Sequence, residues 1–351
     1  MIAVYHEWKE ILMRVLITGI TGFVGSHLAD FLLQTKPEVK LFGLKRYHLS
    51  RLEHVKHIFD RISWVDCDIT DSRAAIETIE EIMPECVFHC AAESFVSPSW
   101  RHPRRYMDVN YLGTLNLLDA MQRLGLSDVP FHIPGSGEEY GLAKPEELPL
   151  TENSVLRPVN PYAVTKIAQD LIGYVYNQSY GARVIRTRAF NHEGPRREKV
   201  FGIPWYAYQI ARVEAGTQPP VIKTGYLGDK RNFTHVRDMV RAYWLASQRC
   251  VPGELYLIGN SDEKSVFTFR ECLYKLIEMS SLDRKEVSIE TDDKYVRPTK
   301  VPYLIGDMKK FEDITNWKPE INIETILKDT LDYWRKRIKS EEDTALNLGL
   351  E

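Results

Sequence analysis

VLITGITGFVGSHLADFLLQ, Val15 to Gln34, is the stretch whose reading decides the fold. The apolar run ending in glycine reads as a buried strand, and Ser26 to Gln34 reads as a helix. Between them Gly19, Gly22 and Gly25 repeat as G-x-x-G-x-x-G. Gly19 permits a tight turn, Gly22 lets a pyrophosphate approach the backbone, and Gly25 lets the helix pack closely on the strand. Such glycines alone describe an ordinary turn. With a strand before them and a helix after, the loop carrying Gly19, Thr21, Gly22, Phe23, Val24 and Gly25 reads as a dinucleotide cradle.

Outward from that loop, the same rhythm repeats. Strands are expected at 39–45 (VKLFGLK), 61–69 (RISWVDCDI), 86–93 (CVFHCAAE) and 129–136 (VPFHIPGS), with helices at 72–83 and 106–124 between them. Apolar strands separated by long helices indicate an α/β, Rossmann-type, doubly wound parallel sheet. Beyond residue 190, proline and glycine become dense (GPRREKVFGIP, GTQPPVIKTGYLG), so a smaller C-terminal α/β substrate domain is expected. The expected division is 14–190 for the dinucleotide domain, with 235–260 returning to it, and 191–234 plus 261–338 for the second. Residues 1–13 and 339–351 read as extensions, the last dozen fraying.

The 351 residues, 44% of them hydrophobic, suffice for a large core. A net charge of −3 with scattered Lys and Arg gives no footprint for nucleic acid. Five cysteines without paired spacing suggest reduced thiols, and no apolar run approaches the roughly 20 residues of a membrane span. A soluble cytoplasmic protein with no membrane partner is expected. No metal site is expected either, since the cysteines are scattered and His54 and His57 lack further ligands.

The end of the second strand, GLKRYHLSR, carries Lys45 and Arg46 and no acid, which favours the 2′-phosphate of NADP, NAD being the alternative. Asp68 and Ile69, after the third strand, suit the adenine edge. Farther on, YAVTK sets Tyr162 and Lys166 four apart on one helix face. A nearby ammonium is expected to depress the phenol's pKa, letting tyrosinate take a proton from a substrate hydroxyl as hydride leaves. About 25 residues earlier, HIPGSGEEYG (132–141) puts Ser136 at a strand end and Glu138 two residues on. Glu139 reads as a solvated turn acid.

GITGFVG, the serine before YG and YAVTK together resemble the extended short-chain dehydrogenase/reductase superfamily. SRLEHV (50–55), FNHEGPRR (190–197), DKRNFTHVRDMVRAYW (229–244), VRPTKVPYLIGD (296–307) and NWKPEI (316–321) narrow the resemblance to the GDP-mannose 4,6-dehydratases, from Arg14 to about Arg335. That resemblance implies a GDP-sugar substrate, hexose or heptose, and catalysis by Ser136, Glu138, Tyr162 and Lys166. Tyr162 would act as base for hydride removal at C4, Glu138 would take the C5 proton, water would leave from C6 with acid help from Glu138 or Ser136, and hydride would return to C6. An intermediate pKa at Glu138, set by desolvation, would serve both proton steps.

It also implies that Ala91, Ala92, Ser94, His192 and Arg197 meet the cofactor. Ser94 would also meet the sugar, Asn191 and Arg297 would hold the diphosphate, and Arg231 is a further candidate for the nucleotide part. A homodimer or homotetramer is implied. The chain departs from the family pattern at Ser136 (usually Thr), Gly137 (usually a hydroxyl), Glu93 (usually Gln) and Lys300 (usually Glu), and its 47–50 loop is short. GSGEEYG and PPVIKTG also resemble GDP-4-keto-6-deoxymannose reductases. A reductase or a 4-dehydrogenase is therefore the alternative activity, and a non-catalytic NADP-sensing regulator the non-enzyme one.

Overall fold

The computed structural model describes residues 12–347, with side chains through 340; most of the 1–13 prefix lies outside the described residues. Met13 itself opens β1 (Met13–Thr18), whose Val15, Leu16 and Ile17 are fully buried. Each such aliphatic side chain contributes roughly 1.5–3 kcal/mol by leaving water. Helix α1 (Phe23–Thr35) starts three residues earlier than its sequence suggests, because the turn closes as soon as Gly22 N bonds Gly19 O at 3.0 Å. Gly19 has φ +68°, and a Cβ there would lie 2.6 Å from Ala91 N; one on Gly25 would lie 2.3 Å from Gly19 O. Larger residues would displace the loop from its cradle shape.

β2 (Val39–Lys45) lies as expected, whereas β3 (Ser63–Asp66) stops short of Cys67 and Asp68. α2 (Ser72–Ile82) is capped by Asp71, whose side chain accepts from Arg73 N and Ala74 N. β4 ends at His89 (Cys86–His89), four residues earlier than expected, freeing the following residues to line a crevice. The expected long helix is α3 (Pro103–Met107) and α4 (Gly113–Arg123) joined by one π-helical turn, Asp108–Leu112. β5 (Phe131–Ser136), α5 (Pro161–Tyr180) and β6 (Val184–Ala189) follow.

After β7 (His192–Glu193) come α6 (Gly202–Glu214), β8 (Val221–Thr224), β9 (Lys230–Asn232) and β10 (Thr234–His235). The chain then returns through α7 (Val236–Arg249) to β11 (Leu255–Ile258), which pairs in parallel with β6. The main sheet is seven-stranded in the order β11-β6-β5-β4-β1-β2-β3, all parallel.

β12 (Val266–Thr268), α8 (Phe269–Glu278), β13 (Ser288–Thr291), β14 (Tyr303–Leu304), α9 (Lys309–Thr315) and α10 (Ile323–Asn347) complete the chain. A separate apolar cluster forms where α6, α8 and α10 meet, from Ile210, Leu273, Leu276, Leu327 and Leu331 among others. The expected fraying at 339–351 is corrected as far as Asn347, where α10 ends. Among the described residues no helix is long and apolar enough to cross a membrane.

Candidate active site

Strand order reverses between β1 and β4, and loops diverging there leave a crevice at the carboxyl ends of the strands. A cavity of about 590 Å³ occupies it. Every residue singled out from the sequence as catalytic, cofactor-facing or sugar-facing lines this cavity except Arg231. Arg231 lies 3% exposed, its guanidinium 3.7 Å from Asp229.

Asn160 opens α5: its side chain accepts from Ala163 N at 2.8 Å and Pro161 takes the first helical position. Tyr162 and Lys166 follow on the buried face. Lys166 Nζ donates to Pro134 O at 2.6 Å and to Gln169 Oε1, so two of its three N–H groups are committed. Burial lowers the Lys166 pKa, with Glu139 opposing. The Tyr162 phenol departs from expectation. Burial raises its pKa; the Ser136 hydrogen bond and Arg197 pull the other way, while Glu138 and Glu139 add to the rise. Desolvation dominates at this depth, and the lysine is held by other acceptors.

Behind the lysine runs a polar chain whose hydrogen directions follow from one another. Gln169 Nε2 donates to Thr114 Oγ1 at 2.7 Å, and Thr114 donates to Asn110 O at 2.7 Å. Thr114 therefore also accepts from His89 Nε2–H at 2.8 Å. His89 Nδ1 must then accept from Thr18 Oγ1 at 2.8 Å, and Thr18 takes Ala91 N at 3.1 Å. A neutral His89 is required, and burial does lower its pKa to about 3. The base of the glycine loop and the lysine are thus parts of one buried network.

The acidic turn divides its two carboxylates. β5 runs into a 3₁₀ turn, Gly137–Tyr140, capped by Ser136: Glu138 N donates to Ser136 Oγ at 3.2 Å, and Ser136 N to Glu139 Oε1 at 2.7 Å. Three residues per turn sends neighbouring side chains to different sides. Glu138 lines the cavity, held by Asn160 Nδ2 at 3.0 Å and Arg297 Nη1 at 3.3 Å. Glu139 is no solvated acid: it is wholly buried, with Oε2 at 2.6 Å from Arg188 Nε. Arg188 also holds Asp170 at 2.7 Å, which takes Arg186 at 2.8 Å. Burial raises the Glu139 pKa and the Arg188 guanidinium opposes it.

At the end of the crevice beside β2, Lys45 is spent on Asp66 at 2.5 Å, leaving Arg46 exposed at the rim. Asp68 is oriented by Thr70, through its N at 3.0 Å and Oγ1 at 2.8 Å. The His192 ring stacks on Phe23 with centroids 5.8 Å apart. Arg197 lies 4.1 Å over Phe201 and 5.4 Å over Phe23, with Nε 3.2 Å from Glu193 Oε2. Glu193, 2% exposed, is pushed up to about 7 by burial, against Arg197. The glycine cradle and the polar lining suit a dinucleotide lying across the crevice.

Sequence reasoning missed Asn160, Gln169, Glu193 and the Arg188 network. Asn160 left a signal, an N-cap residue before proline. Gln169 and Glu193 sit three and four residues from Lys166 and Arg197, a spacing that could have flagged them, whereas the partners in the Arg188 network come from distant segments and leave no signal.

The family model described as GDP-mannose 4,6 dehydratase matches residues 16–330. GDP-6-deoxy-D-mannose reductase of Pseudomonas aeruginosa is 30% identical over 329 residues, covering 93% of this chain and 99% of the relative. Human GDP-mannose 4,6 dehydratase is 32% identical over 337 residues, covering 90% and 89%. The solved structure of RMD from Pseudomonas aeruginosa complexed with NADPH superposes with a TM-score of 0.78 at 28% identity, over 93% of this chain and 99% of that one.

Proposed function

The chain belongs to the GDP-mannose 4,6 dehydratase family, and from that premise we propose that it is an NADP-dependent GDP-sugar 4,6-dehydratase converting GDP-mannose or a similar GDP-hexose or heptose to the 4-keto-6-deoxy sugar. The supporting observation is the placement of Glu138 in the same cavity as Tyr162 and Lys166, gripped by Asn160 and Arg297. Hydride exchange at C4 needs a phenol; elimination across C5 and C6 needs a carboxylate as well.

The glycine loop, Tyr162 and Lys166 would hold a nicotinamide cofactor, which would supply hydride exchange, from C4 of the sugar and back to C6. Tyr162 would take the O4 proton, its desolvated phenol being able to ionise beside the cationic ring of a bound cofactor. The resulting 4-keto group acidifies C5–H, and Glu138 removes that proton. Glu138 protonates the leaving O6, directly or through the Ser136 hydroxyl, so water departs; after hydride return at C6 a solvent proton is delivered to C5 and Tyr162 releases to solvent the one it took, so protons and electrons balance. Lys166 would orient the cofactor ribose with its third N–H, and Asn191 and Arg297, which line the cavity, would hold the diphosphate, with Arg231 behind them as a further candidate for the nucleotide part. Arg46 at the rim favours the 2′-phosphate, and Arg46→Ala should narrow an NADP-over-NAD preference. Equal affinities in the unmutated protein would overturn that preference.

Self-association is part of the proposal. Val164, Leu171, Tyr174 and Val175, each 42–49% exposed, form one stripe on the outer face of α5. Burying it against a second copy accounts for a homodimer, two of which would make a tetramer. Leu171→Glu with Val175→Glu should halve the mass seen by light scattering; an unchanged mass would sink this contact.

The deciding experiment supplies GDP-mannose with catalytic NADP⁺ and reads product mass and NADPH absorbance. A loss of 18 mass units, the mass of water, without NADPH accumulation is expected. Stoichiometric NADPH would mean a 4-dehydrogenase. The second reading, a reductase, is favoured by the 30% identity to the Pseudomonas enzyme; it predicts inertness here and NADPH consumption with a 4-keto-6-deoxy sugar.

A further inference from the structure

A second concavity of about 500 Å³ lies on the far side of the 296–300 segment, and it shares no lining residue with the catalytic cavity. Val296 and Lys300 face it, whereas Arg297 between them lines the catalytic side. We propose that this recess, walled by Tyr226, Arg270, Tyr274, Arg284, Thr291 and Lys300, is a binding site for a small phosphate-bearing anion separate from the diphosphate site beside Glu138.

The charge balance carries the argument. Three cations converge in one concavity whose lining holds no Asp or Glu. Among the described residues none of the three forms an ion pair with a carboxylate, although 23 Lys–carboxylate or Arg–carboxylate contacts occur elsewhere (26 contacts less the three that involve histidine). The catalytic cavity, by contrast, is lined by Asp68, Glu93, Glu138 and Glu193 as well as by cations. All three are exposed to solvent and Asp229 lies within electrostatic reach of Lys300, but an anion entering the recess would meet three positive charges and no acid in its wall.

The two rings pre-set the cations. The Arg284 guanidinium sits 4.6 Å over Tyr274, and Lys300 Nζ lies 4.4 Å over Tyr226. Arg270 and Arg284 lie close enough to the Tyr274 hydroxyl to lower that phenol's pKa. Held this way, the side chains lose less rotational freedom on meeting a ligand. With the ring faces already covered by cations, recognition falls on the anionic group, and guanidinium forks suit phosphate oxygens. Lys300, which stands where the resembling family has glutamate, removes the negative charge that would have repelled such a ligand.

The probe is inorganic pyrophosphate titrated calorimetrically into the full chain loaded with NADP⁺. Arg297→Ala cripples the catalytic diphosphate site and should keep one pyrophosphate per chain. Arg270→Ala combined with Arg284→Ala should weaken that binding at least about ten-fold while leaving NADP⁺ affinity unchanged. The exposed single change Lys300→Glu should weaken it by about three-fold or more, and guards against misfolding of the double variant. Binding abolished by Arg297→Ala would overturn the proposal, because pyrophosphate would then be reporting the catalytic site. So would binding unaffected by the double and single changes, or no binding to any form. None of these outcomes bears on whether the chain dehydrates a GDP-sugar.

Discussion

Two adjacent glutamates show how little residue type alone determines. Glu138 faces the cavity and Glu139 the wall, so the same substitution should act on different quantities. Glu138→Gln keeps the hydrogen bond from Asn160 but cannot take a proton. Hydride loss from C4 should persist, deuterium uptake at C5 from heavy water should vanish, and turnover should fall by about 10²–10⁴-fold. Unchanged turnover would remove Glu138 from the mechanism. Glu139→Gln instead leaves Arg188 with one of its two carboxylate partners gone in a buried site. Stability should drop by about 3–5 kcal/mol while activity per folded molecule is little changed, as read by urea unfolding alongside turnover. The sequence could not separate the two acids: Arg188 lies 49 residues beyond Glu139, on strand β6.

Helix α5 shows what is legible in an element and what is not. Its existence and the shared face of Tyr162 and Lys166 follow from spacing, as do strand β2 and the return of β11 to the sheet. The π-turn at Asp108–Leu112 left no mark in the apolar pattern, yet it sits where Asn110 bonds Thr165 at 2.9 Å and Glu93 N at 2.8 Å. β3 and β4 came out shorter than their apolar runs because residues such as Cys67 and Ala91 are apolar for the cavity's sake rather than the ladder's. The helix start has a testable double role, since Asn160 caps α5 with its oxygen and holds Glu138 with its nitrogen. Asn160→Asp keeps the cap but replaces the donor with a second carboxylate. Stability should stay within about 0.5 kcal/mol while turnover falls by about ten-fold or more. Asn160→Ala should lose about 1 kcal/mol as well. Equal stability losses in both variants would mean that the cap and the Glu138 contact are not separable.

Across the whole molecule, the cavity gathers groups from Gly19 to Arg297, and the motifs made most of that gathering readable. What stayed hidden is the depth of the charge beneath it. His27, His89, His132 and His235 have pKa values lowered to about 3, and His192 to about 4, each chiefly by burial. A base whose folded pKa lies below its unfolded value of 6.5 costs nothing above that pH. As pH falls from 6.5 toward 3–4 the unfolded chain takes up protons that the native chain refuses, at about 1.4 kcal/mol per pH unit for each histidine. Glu193 and Glu139, raised by burial, act oppositely between about 7 and 4.5, because the native state then binds their protons first. Five histidines against two glutamates leave about three protons in favour of unfolding, or roughly 4 kcal/mol per pH unit below 6.5. Against a total stability of about 5–15 kcal/mol, cooperative acid unfolding should occur near pH 5. Urea midpoints at half-unit steps from pH 7.5 to 5 should be flat at first and then fall steeply. His132→Gln, which keeps a polar partner for Thr187, should reduce the slope by about one proton. A midpoint that stays level to pH 5 would mean that these imidazoles take up protons in place, and that the neutral His89 joining the lysine to the glycine loop is not a fixed part of the site.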